Sequence, residues 1–210
     1  QAPSGFKTLN TANLPTPAIG GGGESNLANK YMDITTYTGT GTAQSIFNSV
    51  FKPDFVWIKS RSAATAHALY DINRGVNKQL VSSSTAAEVT NTSGLTSFDA
   101  TGFSVGTLGD INTNGATYVA WQWKAGGAPV TNSSGTITSQ VSVSQISGFS
   151  VVTYTGTGVN ATVGHGLGVT PKMVIVKGRG VNGAAWPVIH TSVGSNGQFT
   201  YLHSNVGIQT

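Results

Sequence analysis

Residues 117–123 read TYVAWQW, and strict alternation sets Val119, Trp121 and Trp123 on one face of a strand and Tyr118, Ala120 and Gln122 on the other. A tryptophan brings an apolar area of roughly 200 Å² to whatever covers it. The tryptophan face is therefore expected to line a sandwich core, with a sugar-stacking platform as the alternative. Shorter alternating or β-branched runs bounded by turn residues predict strands at 33–38, 55–59, 68–72, 79–82 and 102–107. Helical signal is confined to residues 84–89, where Ala86, Ala87 and Glu88 allow a turn or two, and no apolar stripe of helical period runs for three turns. The pattern predicts an all-β chain.

The hexapeptide TYTGTG occurs twice, at residues 36–41 and 153–158. Downstream of each copy a proline opens an apolar run that ends in Lys-x-Arg: PDFVWIKSR from Pro53 and PKMVIVKGR from Pro171. Proline is tolerated at the first position of a strand, where no ladder donor is needed. Four apolar residues in succession, Phe55 to Ile58 or Met173 to Val176, imply burial on both faces and hence a central strand in each copy. HALYDINRG from His67 then lies opposite WPVIHTSVG from Trp186, and Asn77 to Leu80 lies opposite Asn196 to Phe199. The correspondence is collinear, so the chain holds two tandem copies of one β-sandwich module. The first continues through FDATGFSVGT to the tryptophan strand, whereas the second ends at Thr210 with no counterpart of those strands. Such a truncated copy exposes unpaired edges. Either the polypeptide continues or a neighbouring chain supplies the missing strands.

The opening residues, 1–31, have no sustained alternation and carry Pro3, Pro15, Pro17 and four consecutive glycines from Gly20, as an extended arm or linker does. This gives an arm over 1–31, a first module over 32–124, a linker or edge-strand segment over 125–148 and a truncated second module over 149–210. Within the joining segment, TITSQVSVS is an edge-strand or threefold-interface candidate, or else an extended linker.

Composition narrows the function. Only 9% of the 210 residues are charged, against about 25% in ordinary domains, and 28 glycines accompany abundant Ser, Thr and Asn. Such neutral polar surfaces suit extracellular or particle-bound β proteins. The formal charge of +4 is carried by scattered Lys and Arg, so nucleic acid is not an expected partner. With no cysteine, neither disulfides nor thiolate metal sites contribute. No apolar run reaches the roughly 20 residues of a membrane helix, and membrane insertion is not expected.

Signals for chemistry are sparse. The GTG and GHGLG strings lack the Lys-Ser/Thr ending of a phosphate loop and read as turns. His67, His165, His190 and His203 show no short ligand spacing, although His190 and His203 are candidates to meet across a hairpin. Asp54 and Asp71 form the least implausible carboxylate pair. No catalytic residue, metal or cofactor is expected, and the chain is not read as an enzyme. For surface glycan, the candidates are Tyr118, Trp186, Asn112 and Asn114, aromatic rings and amides of the kind that hold sugars.

The strings PSGFKTLNTANLPTP, YTGTG, VWIKSRS, NTSGLTSFDATGFSVGT, NTNGATYVAWQWKAG and VGHGLGVTPKMVIVK closely resemble the tandem modules of tail-fibre-like proteins of tailed bacteriophages, modules that tend to follow a SPRY-like or lectin-like domain. The resemblance covers nearly the whole chain. It implies a structural virion protein, a segment of a tail fibre or similar appendage, with itself as partner in a homotrimer beside other virion proteins. A lectin-like module that recognises host glycan is the alternative, and a capsid decoration protein the third reading.

Overall fold

The computed structural model describes residues 28–47, 49–193 and 197–209. The arm expected over 1–31 lies almost wholly outside them; a single 3-10 turn at Ala28–Lys30 leads into the first strand. The fold is all-β, with fifteen strands among the described residues.

The first unit is a sandwich. One face is a six-stranded antiparallel sheet made of β1 (Met32–Thr38), β3 (Phe55–Ser60), β4 (Ala68–Asp71), β5 (Lys78–Val81), β6 (Val89–Thr90) and β9 (Thr117–Trp123). Their order is β1-β9-β3-β4-β5-β6. The other face is the three-stranded sheet β2-β8-β7, formed by β2 (Gln44–Phe47), β7 (Leu95–Asp99) and β8 (Gly102–Val105). Between the sheets Val56, Ile58, Tyr70, Tyr118 and Ala120 meet Leu95, Phe98, Phe103 and Val105 in one cluster. The short helix α1 (Gly109–Asn112) closes one end with Ile111, which is fully buried.

This packing reverses the expected orientation of the tryptophan strand. Tyr118, Ala120 and Gln122 are the buried set, each with no exposed surface, and Trp121 and Trp123 lie half-buried on the outer face. The opposing sheet already fills the sandwich with phenylalanine and leucine, so the core side of β9 has room for alanine and glutamine in the rows where the other side carries indoles. Gln122 is accommodated by donating from Nε2 to Thr35 Oγ1 at 2.9 Å.

The segment joining the copies is a hairpin, with β10 (Val130–Asn132) and β11 (Ser139–Ser144). It forms the sheet β10-β11-β12 with β12 (Phe149–Tyr154), the strand that enters the second hexapeptide. SQVSVS is thus a middle strand, not an edge or a linker. The remaining sheet, β13-β14-β15, comprises β13 (Met173–Ile175), β14 (Pro187–His190) and β15 (Thr200–Tyr201).

The internal repeat is visible in the register. Phe55, Val56 and Trp57 pair with Asp71, Tyr70 and Leu69. Their counterparts Met173, Val174 and Ile175 pair with His190, Ile189 and Val188. Leu69 faces Leu80 as Val188 faces Thr200, and Gln79 faces Val89 as Phe199 faces Gln209. Pairing therefore equates Leu80 with Thr200, one residue beyond the Phe199 that the sequence match assigns, because Val188 and Thr200 are twelve residues apart in sequence where Leu69 and Leu80 are eleven. No counterpart of β9 occurs in the second copy among the described residues. Consequently β13 is an edge strand, and Met173, Val174 and Ile175 are all exposed, where the apolar run predicts a buried central strand.

Residues 84–89 form no helix. Their amides are drawn outward: Ala87 N–H donates to Asn182 Oδ1 and Glu88 N–H to Arg179 O, both in the second copy. These tertiary partners replace the i to i−4 bonds that a helix would need.

Candidate functional site

Of the four residues expected to hold glycan, three are inside the protein. Asn112 has no exposed surface and acts as a peg. Its Oδ1 accepts from Thr40 N at 2.9 Å and Gln44 Nε2 at 2.7 Å, and its Nδ2 donates to Thr42 O and Gly106 O. All four bonds of the amide are used, and none is left for a sugar. Tyr118 stacks on Tyr37 at 5.1 Å between ring centroids, and its hydroxyl donates to Gly109 O and accepts from Thr113 N. Trp186 is 4% exposed and packs on Leu69 and Leu80, donating from Nε1 to Ser84 O at 2.8 Å. It is the plug that seats the second copy on the outer face of the first. Asn114 alone is exposed, at the tip of the turn before β9.

The hexapeptide explains itself in the first copy. Tyr37 donates to Ile111 O, Gly39 N–H to Ala116 O and Gly41 N–H to Asn112 O, so the TYTGTG turn lies along the α1–β9 connection. A Cβ on Gly39 would come within 2.2 Å of Thr113 O, and Gly41 sits at φ 70°. Glycine is required at both positions, for close approach and for the left-handed conformation respectively.

What remains open is the outer face of the large sheet. Ile34, Trp121, Trp57, Leu69 and Leu80 form one cross-strand row over β1, β9, β3, β4 and β5. Trp186 covers the Leu69–Leu80 end. At a neighbouring position Phe149 stacks on Trp123 at 5.9 Å and meets Phe55 edge-on. The middle of the row is left half-covered, with Trp57 and Trp121 edge to face at 6.2 Å and Ile34 55% exposed. Trp57 Nε1 donates to His67 Nδ1 at 2.9 Å, so that nitrogen carries no proton and the imidazole is neutral. Burial pushes the His67 pKa below its ordinary value, and the charge of Lys59 pushes it the same way.

Arg74, Glu88 and Arg179 form a charged chain that reaches across the joint between the copies. Arg74, 3% exposed, pairs with Asp71 and with Glu88 at 3.1 Å, and Arg179 of the second copy pairs with Glu88 at 3.0 Å. Burial works to raise the Glu88 pKa, but hydrogen bonds from Arg179 and Arg74 outweigh it and hold the carboxyl below its usual range. Asn73 Nδ2 adds bonds to Gln140 O and Val151 O, both at 2.9 Å.

The carboxylate pair singled out in the sequence is spent on structure. Asp54 Oδ2 accepts from Ala125 and Gly127 N–H, and Asp71 holds Arg74. His190 and His203 do not meet: His190 faces Met173 and accepts from Ser192 N, and His203 accepts from Trp186 N. Among the described residues no group of three metal-ligating side chains gathers.

One comparison with known proteins bears on this arrangement. Residues 28–209 match a family model described as a domain of unknown function, DUF7483. The chain belongs to that family. No curated protein and no solved structure matches the chain. The DUF7483 match runs through both copies and the hairpin between them, which accords with a unit whose second copy is bolted to the first through Trp186, Arg179 and Phe149.

Proposed function

We propose that this DUF7483 chain is a structural protein of a particle appendage, a spacer segment of the bacteriophage tail-fibre kind whose sequence strings it resembles. One observation carries the reading: duplication has preserved the backbone and not the chemistry. The register of β3, β4 and β5 recurs pair for pair in β13, β14 and β15. Most side chains in and beside those strands do not: Asp71 becomes His190, Arg74 becomes Val193, Trp57 becomes Ile175 and Tyr70 becomes Ile189, and of the charged groups only the Lys-x-Arg after the apolar run is kept, with Lys59 and Lys177 both donating to backbone carbonyls. A repeated reaction site would keep its polar groups and a repeated scaffold keeps its ladder. Cysteine-free sheets with open edges gain stability from closed symmetric association, and a homotrimer is the form the resemblance implies. Gold-labelled antibody against the chain on intact particles tests the reading. Label on the appendage is expected, and label spread over the shell overturns it in favour of a decoration protein.

A second reading has its own support in the half-covered Trp57–Trp121 row, a rigid aromatic surface flanked by polar groups of the sort on which sugar rings stack. Glycan-array retention that disappears in Trp121→Ala would establish it, while Tyr118 and Trp186 take no part because they are buried.

A further inference from the structure

The core side of β9 holds a pair of polar side chains whose bonding is incomplete. Gln122 has no exposed surface, and Thr35 of β1 is 2% exposed. Gln122 Nε2 donates to Thr35 Oγ1 at 2.9 Å, and Gln122 Oε1 is buried without a partner. Exchanging the oxygen and nitrogen of the amide moves the deficit from one atom to the other and does not remove it. Asn112, equally dry, has all four bonds of its amide in use. A buried amide kept for hydrogen bonding alone is satisfied as Asn112 is. A primary amide held by one bond against a hydroxyl is also the reactant pair of an ester.

The surroundings of the pair suit that reaction. Asp33 stands opposite Gln122 in the β1–β9 register and two residues before Thr35, so strand alternation sets all three on one face. Residues opposed in this way have Cβ atoms about 5 Å apart. Asp33 Oδ1 accepts from Ile34 N–H at 2.8 Å, and no cation pairs with its carboxylate among the described residues. A hydroxyl is a weak nucleophile until a neighbouring base takes its proton, and Asp33 is the carboxylate placed to do so. On the other side Val56, with no exposed surface, stands opposite Gln122 and helps to keep out the water that would hydrolyse an ester.

We propose that Thr35 and Gln122 join in an intramolecular ester that ties β1 to β9. Thr35 Oγ1 attacks Gln122 Cδ while Asp33 takes the hydroxyl proton and returns it to Nε2. The Oγ1–Cδ bond forms, the Cδ–Nε2 bond breaks, and ammonia leaves. No oxidant or second substrate takes part, and dilution of the ammonia into solvent draws the exchange forward. The product has no N–H to satisfy, and its carbonyl is a weaker acceptor than that of an amide, so the buried deficit shrinks. The link spans 87 residues in a chain without cysteine, and it fastens the strand that opens the first copy to the strand that closes it. Such a tie restricts the unfolded chain as a disulfide does.

Peptide mapping of the 210-residue protein tests this. Trypsin releases residues 31–59, since Pro53 shields Lys52 from cleavage, and residues 79–124. One species holding both is expected, lighter than their sum by about 17 Da for the ammonia lost, with fragment ions placing the link at Thr35 and Gln122. Hydroxylamine, which cleaves esters, should separate them. Reading the link from these peptides also sets aside cyclisation of Gln1, which loses the same mass. Thr35→Ser should keep the link, and Thr35→Val, of the same shape but without the hydroxyl, should abolish it. Asp33→Asn retains an acceptor for Ile34 N–H and should slow the appearance of the linked species after cell-free synthesis by roughly a hundredfold. Two separate peptides of full mass from the folded protein overturn the proposal. So does a link that survives Thr35→Val, or one that forms at an undiminished rate in Asp33→Asn.

Discussion

Tyr37 and Tyr154 occupy the same place in two identical hexapeptides, and their surroundings differ completely. Tyr37 is stacked on Tyr118 and bonded to Ile111 O, whereas Tyr154 is nearly half exposed. Val56 and Ile58 of β3 have no exposed surface, while every residue of β13 is exposed. The comparison separates what a sequence motif needs for its own shape from what it needs from a partner. The turn and the ladder form in both copies, but the apolar strand is buried only in the first, where β9 lies beside it. Most stability of a sheet lies in the side chains it covers, so the first copy is the anchor and the second depends on it.

The largest test of that contrast lies in the first core. Tyr118→Ala removes a fully buried ring and is expected to cost about 3–5 kcal/mol in denaturant unfolding, as buried aromatic truncations do. The matching change at the exposed ring, Tyr154→Ala, should stay within about 0.5 kcal/mol. Trp186→Ala comes next, at about 3 kcal/mol or more, because it removes the plug over Leu69 and Leu80. Its signature is distinctive: amide exchange should rise across β13 to β15 while β3 and β9 stay protected, and uniform loss of protection would show that the copies do not differ in autonomy.

Gly39→Ala is the third case, expected to cost about 1–3 kcal/mol because the new methyl meets a backbone carbonyl, whereas Gly156→Ala, in open space, should be neutral. Equal effects on melting temperature would break the comparison. The smallest effect concerns the joint. Glu88 has its pKa lowered in the fold, so its contribution is complete above its ordinary value near 4.5 and is lost as pH falls through the depressed one. Glu88→Gln should flatten that acid limb of the stability curve. Because Arg179 is well exposed, its share of the effect is screened and should shrink with added salt.

Much of the fold is legible in the residues, since alternation and turn chemistry locate β1, β3, β4, β5, β8 and β9 to within about two residues, and collinear strings disclose the repeat. Alternation gives the period of a strand but not which face is inward. In TYVAWQW the two tryptophans point out and Tyr118 points in, because the facing sheet supplies the bulk beside Ala120 and Gln122, and Phe149 reaches Trp123 from far along the chain. The same blindness misplaces Tyr118, Trp186 and Asn112 as surface groups: rings and amides suit a glycan site and a satisfied interior equally, and only the partners decide. The helical expectation at 84–89 fails for a related reason, since Asn182 and Arg179 take the amides that local pattern assigns to a helix. The short β2 and β6, and the edge position of β13, depend on pairings that no window of sequence contains.

The seating of Trp186 against Leu69 and Leu80 also bears on the order of events as the polypeptide leaves the ribosome. Vectorial synthesis delivers β1 to β9 first, and the core between their two sheets contains no residue of the second copy. The later hairpins then find a finished platform and condense upon it. A circular permutant beginning near residue 149 would deliver them too early, with exposed valines and isoleucines awaiting a surface not yet made, and its yield of soluble protein should fall accordingly.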